Sequence, residues 1–147
     1  MLTQEYVRQI LRGLEDGSEE VFFDHVSDDV EWIVVGVNPL AGHYHSKSDF
    51  VNGTCAKLKK VLRENAQLSV EHLFVKDDQA VVVLRSLAPA RNGMRFEHRY
   101  CWIITFSNKV ITKGRAYLNS AIVTQLFREN LSEETKHPNR GRKLILT

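Results

Sequence analysis

Residues 94–107 and 110–118 are two long alternating runs joined by Ser107-Asn108-Lys109, and together they read as one β-hairpin. A two-residue turn at Asn108-Lys109 pairs Tyr100 with Tyr117, Trp102 with Arg115 and His98 with Asn119. Cross-strand partners share a face of the sheet. The hairpin is therefore expected to put these six residues on one face, with Cys101, Ile103, Ala116 and Leu118 on the other. Aromatic bodies with a few convergent polar groups suit a pocket wall. The alternative is a solvent or dimer face with Trp102 stacked under Arg115. An inward arginine would need a carboxylate partner, for which Glu31, Glu71 and Glu97 are candidates.

The rest of the chain supplies helices first and strands later. Tyr6, Val7, Ile10, Leu11 and Leu14 recur with helical spacing, Thr3 can cap the start, and Asp16-Gly17 stops the run. Ser18 opens a short second helix carrying Val21, Phe22 and Val26, and residues 30–35 read as a strand. Gly36 to Gly42 is a turn region. Ser46-Lys47-Ser48-Asp49 resembles a capping box ahead of one longer helix that buries Phe50, Val51, Cys55, Leu58, Val61 and Leu62. Gly53 inside that helix implies close packing there. Residues 68–75 and 80–87 are strands, Asn92-Gly93 is a turn, and residues 120–128 form a last short helix. This order predicts an α+β domain with a curved antiparallel sheet and helices on one face. Residues 1–130 are expected to form one domain and 131–147 a polar C-terminal tail, whose Leu144-Ile145-Leu146 could dock on it.

Composition narrows the function classes. A chain of 147 residues, 43% hydrophobic and 26% charged, reads as a single globular domain that needs no disulfide or structural metal. Cys55 and Cys101 have no metal-knuckle or redox-pair spacing and read as small core hydrophobes, which fits a reducing cytoplasm. Residues 6–10 are amphipathic rather than signal-like, and no stretch approaches the ~20 apolar residues of a membrane span. The net charge of +2 comes from the tail, so no clustered basic face for nucleic acid is expected.

Several short patterns fall in one order: Asp29-Val30-Glu31-Trp32, then Gly36-x-x-Pro39-Leu40-Ala41-Gly42-x-Tyr44-x-x-Lys47, then Asn92-Gly93, Tyr100-Cys101-Trp102 and Arg115-Ala116-Tyr117-Leu118. As a set, over about residues 3–127, they resemble the SnoaL-like, ketosteroid-isomerase-related branch of the NTF2-like superfamily. The resemblance implies an NTF2-like cone, a bent sheet wrapped around N-terminal helices with a deep pocket at one end. It also implies a homodimer through the sheet and no cofactor. It does not fix an activity, because members include enzymes and non-catalytic binding domains.

Two departures from the family pattern matter. Matching the Gly-x-x-Pro-x-x-Gly frame puts Ile33 where the steroid isomerases carry a general-base Asp, and Ile33 cannot accept a proton. Asn119 stands where cyclases of the SnoaL-like branch carry a carboxylate; it can orient a group but does not titrate. Asn119 could equally cap the last helix.

The candidate ligand-binding residues are Trp32, His43, Tyr100, Trp102 and Tyr117. His98, Asn119 and Arg115 are the catalytic candidates, with a histidine moving a proton and Arg115 or Asn119 stabilising an oxyanion. His43-x-His45 could ligate a metal, but no His-Glu-x-x-His or paired-cysteine motif accompanies it, and no metal is assigned. One of these two rings is expected at the pocket mouth. The expected partner is a small, largely apolar organic molecule. The expected reaction, if any, is a cofactor-independent isomerisation, cyclisation or dehydration of a polyketide- or steroid-like compound. The alternative is a non-catalytic ligand-binding or dimerisation domain.

Overall fold

The computed structural model describes residues 1–64 and 67–130. The tail, residues 131–147, lies outside the described residues, and so does any docking of Leu144-Ile145-Leu146.

Four helical segments precede most of the sheet. Helix α1 (Gln4–Glu15) begins at Thr3, whose side chain accepts from the Tyr6 N–H, and buries Val7, Ile10, Leu11 and Leu14. Helix α2 (Glu19–Phe23) follows. The single helix expected after Ser46 is two, α3 (Lys47–Gly53) and α4 (Cys55–Val61), broken at Thr54 with φ −127° and ψ −80°. The Thr54 hydroxyl donates to the Phe50 carbonyl at 2.7 Å, which holds the break. A Cβ at Gly53 would stand 2.6 Å from Cζ and 2.7 Å from the hydroxyl of Tyr44. That is the close packing its glycine implied.

The strands are β1 (Val26–Val34), β2 (Gly42–Tyr44), β3 (Leu68–Lys76), β4 (Gln79–Pro89), β5 (Arg95–Ser107) and β6 (Val110–Tyr117), and helix α5 (Ser120–Asn130) ends the described chain. They form one strongly curved, unclosed sheet in the order β2-β1-β6-β5-β4-β3. All its pairings are antiparallel except β1 with β6. The short strand β2 was hidden in the expected turn region. The α+β class holds.

Strand β5 alternates strictly, with Phe96, His98, Tyr100, Trp102, Ile104 and Phe106 all buried on its inner face. Asn108 and Lys109 both take positive φ, 50° and 67°, as a tight hairpin turn of opposite hand requires. Next to the turn Phe106 pairs with Ile111, as the two-residue turn dictates. Beyond it the register slips: Thr105 pairs with Lys113, leaving Thr112 as the extra residue of a β-bulge. Every later residue of β6 changes face, because the side-chain period of a strand is two. Trp102 lies opposite Ala116, Cys101 opposite Tyr117 and Ile103 opposite Arg115. The expected six-residue face is thus corrected: Ala116 is the inward residue, while Arg115 and Tyr117 point outward and are exposed.

Candidate functional site

Between the inner face of the sheet and helices α1 to α4 lies a partly enclosed hollow of about 100 Å³. Its sheet side is Trp32 and Val34 from β1, Ala116 from β6, and Tyr100 and Trp102 from β5. Its helix side includes Leu14, Phe22, Phe50, Cys55 and Leu58.

The aromatic wall is a connected set. Trp32 stacks on Phe50 at 4.4 Å between ring centroids, and its ring meets Trp102 edge to face at 5.2 Å. Phe22 tilts against Trp102 at 5.6 Å, and Tyr100 stands 6.3 Å from Trp102. Such pairs add to what burial alone contributes and hold each ring in place.

Few polar groups reach the hollow. Thr54 is committed to the Phe50 carbonyl. Burial pushes the Cys55 thiol up to about 11, with the charge of Glu19 adding to the rise. Burial also raises the Tyr100 phenol. Both groups are therefore neutral hydrogen-bond donors at pH 7. Toward solvent, Lys59 Nζ meets Glu19 Oε1 at 2.6 Å, and that bond raises the lysine above its ordinary value.

The catalytic candidates occupy other places. His98 is buried behind Tyr100, its ring edge-on to the tyrosine at 4.2 Å and stacked on Phe96 at 5.2 Å. Its Nε2 accepts the backbone N–H of Asn119 at 2.9 Å. His98 and Asn119 do meet, but through the backbone. The Asn119 side chain instead accepts from the N–H groups of Ala121 and Ile122 at 3.1 and 3.2 Å, capping α5. Arg115 and Tyr117 stand on the outer face and do not line the hollow.

His43 is also outside it. It pairs with Ile33, so both lie on the outer side of β1, while Trp32 and Val34 point inward. Its ring packs against His45 at 4.2 Å, its Nε2 is 3.9 Å from Glu31, and both histidines are exposed. Neither forms the pocket mouth. Among the described residues no group of three or more His, Cys, Asp and Glu is placed to hold a metal ion. No helix among them is long and apolar enough to cross a membrane.

Trp32, Tyr100 and Trp102 are the expected binding residues that the structure brings together. Sequence reasoning assigned no site role to Phe22, Phe50, Cys55, Leu58 or the Glu19–Lys59 pair. Their only signal was the buried stripe of the helices, which does not distinguish a core from a cavity wall.

No protein-family model matches the sequence, and no curated protein matches it. Solved structures do. An NTF2-like protein from Burkholderia thailandensis is similar with a TM-score of 0.72 at 18% identity, over 84% of this chain and 95% of that one. TerC, co-crystallized with polyporic acid, is similar with a TM-score of 0.66 at 16% identity, over 83% and 95% of the two chains. A protein of ketosteroid isomerase-like fold from Catenulispora acidiphila, in complex with trimethylamine, gives 0.66 at 10% identity over 83% and 91%.

Proposed function

Taking as premise that the chain has the NTF2-like fold, in which ketosteroid isomerase-like proteins are built, we propose that it captures a small, largely apolar organic molecule in the hollow. One observation carries this reading. Six aromatic rings and a set of leucines enclose a space in which the Tyr100 hydroxyl and the Cys55 thiol stay neutral. A concave apolar site with few polar groups is how proteins hold small organic ligands.

The hollow favours capture over catalysis. General acid–base work needs a group that titrates near the working pH within reach of the substrate. His98 is walled off by Tyr100, Asn119 caps a helix, and the inward residues beside Ile33 are Trp32 and Val34. The carboxylate of Glu19 is bound to Lys59. Glu64, which is exposed, is the other lining carboxylate, and a cofactor-independent isomerase or cyclase would have to recruit one of the two.

Size favours a single ring over a steroid. A dry cavity of about 150 Å³ binds benzene, and this one is of similar order. A longer molecule would extend past Glu19 and Lys59 into solvent.

The test is mass spectrometry of small molecules that co-purify with the protein, followed by titration of the recovered compound against Trp fluorescence. Saturable quenching without product formation supports capture. Turnover of the compound, or no binding to the folded protein, rejects it.

The outer sheet face supports the homodimer. Phe74, Val81 and Ile103 lie in register across three strands, as do Val83, Cys101 and Tyr117. Phe74 is 63% and Tyr117 42% exposed. An apolar stripe of this kind on a sheet is a surface for another protein, and a second copy of this chain would cover it. The cysteines Cys55 and Cys101 are free, which fits residence in a reducing cytoplasm.

A further inference from the structure

The hydroxyl of Tyr100 has no hydrogen-bond partner among the described residues, although the residue is only 7% exposed and lines the hollow. Its ring is fixed on both sides, by His98 at 4.2 Å and Trp102 at 6.3 Å. The hydroxyl is open to the hollow, and a ligand that supplies an acceptor there gains the net worth of one hydrogen bond.

Charge is disfavoured in the apolar interior of the same space: of its two lining carboxylates, Glu19 is paired with Lys59 and Glu64 is exposed to solvent. An anion would leave water for walls of Trp, Phe and Leu, where the one lining cation, Lys59, is already spent on Glu19. A cation held by aromatic rings needs an open ring face. Trp32 has none to offer: Phe50 stacks on it, and it also packs against the backbone of Gly114, where a Cβ would stand 2.7 Å from Cδ2.

We infer that the hollow selects an uncharged, ring-sized molecule carrying one hydrogen-bond acceptor, and that the Tyr100 hydroxyl is the residue that reads that acceptor. The inference rests on the capture reading and gives its ligand a chemical class. Tyr100 is the specificity-determining donor. Cys55, on the helix side of the same hollow, and the indoles of Trp32 and Trp102 are the other neutral donors among its lining residues.

Four probes of one ring each test it by ligand-observed NMR: acetophenone, ethylbenzene, benzoate and benzyltrimethylammonium. Wild type is expected to bind acetophenone at least about tenfold more tightly than benzoate or the ammonium, since either charge would leave water for apolar walls. Tyr100→Phe, checked for native fold by circular dichroism, is expected to weaken acetophenone about 3- to 10-fold, the worth of one hydrogen bond, and to leave ethylbenzene unchanged. Equal affinity of wild type and Tyr100→Phe for acetophenone, or preference for either charged probe, overturns the inference while leaving capture standing. If neither neutral probe binds the folded wild-type protein, the capture reading fails and takes the inference with it.

Discussion

The indole of Trp32 rests on the backbone of Gly114, its partner in the parallel pairing of β1 with β6. A Cβ at Gly114 would lie 2.7 Å from Cδ2 and closer still to Cε3 and Cζ3. With Phe50 stacked on the ring as well, Trp32 is held as a fixed wall of the hollow. Gly114→Ala must therefore displace the indole or the strand. Overpacking of this kind costs about 1–3 kcal/mol. Urea denaturation should show that loss, and Trp emission should shift with it. Unchanged stability would mean that the ring moves aside freely.

Trp102 and Arg115 differ in the same way that the inner and outer faces differ. Trp102→Ala removes a large side chain from the aromatic wall and should cost about 3–5 kcal/mol. Arg115→Ala and Tyr117→Ala remove exposed groups from the other face. Each should change the protomer's stability by about 0.5 kcal/mol or less and leave affinity for a hollow-bound ligand unchanged. A tenfold loss of that affinity in Arg115→Ala would restore the arginine to the site.

How much of this was legible follows from where the sequence carries a local signal. The helical spacing of Val7, Ile10, Leu11 and Leu14, the Thr3 cap and the alternation of β5 are local patterns, and each element forms as they predict. The Asn108-Lys109 turn is local too. The bulge at Thr112 is not: no residue type requires it, and one unpaired residue inverts the face of everything after it. That is why Tyr100 and Trp102 were placed correctly while Arg115 and Tyr117 were not. The hollow itself depends on how α3 and α4 break at Thr54 and lean on the sheet, a tertiary property. A buried stripe of Phe50, Cys55 and Leu58 reads the same whether it meets a packed core or a cavity.

The apolar outer stripe gives a prediction about assembly. Ile103 sits in its middle, between Val81 and Arg115. Ile103→Lys would place a charge in any face-to-face contact of two sheets, where an unpaired buried ion is strongly unfavourable. Sedimentation velocity should find wild type as a dimer and Ile103→Lys as a monomer with native circular dichroism. A wild type that stays monomeric at high concentration would reject the dimer.

His98 makes stability depend on pH in a direction its environment decides. The imidazole is 2% exposed, and burial pushes its pKa down from 6.5 to about 4. Nε2 accepts the Asn119 N–H, so the proton sits on Nδ1, which is buried without a partner. Above pH 6.5 neither folded nor unfolded chain is protonated there, and this residue adds no pH dependence. Between pH 6.5 and 4 the unfolded chain takes up a proton that the folded chain refuses. Stability must then fall as pH falls, by roughly 3 kcal/mol across the window, and level off below it. Protonation of Nε2 would also sever the tie to Asn119, where α5 begins. His98→Gln has no group that titrates in this range. The stability difference between wild type and His98→Gln, measured by urea denaturation at pH 7, 5.5 and 4.5, should shrink or reverse toward low pH. The exposed histidines, His43, His45 and His72, are common to both proteins and cancel in that difference. A difference that stays constant from pH 7 to 4.5 would show that His98 titrates like an exposed histidine and is not sealed behind Tyr100.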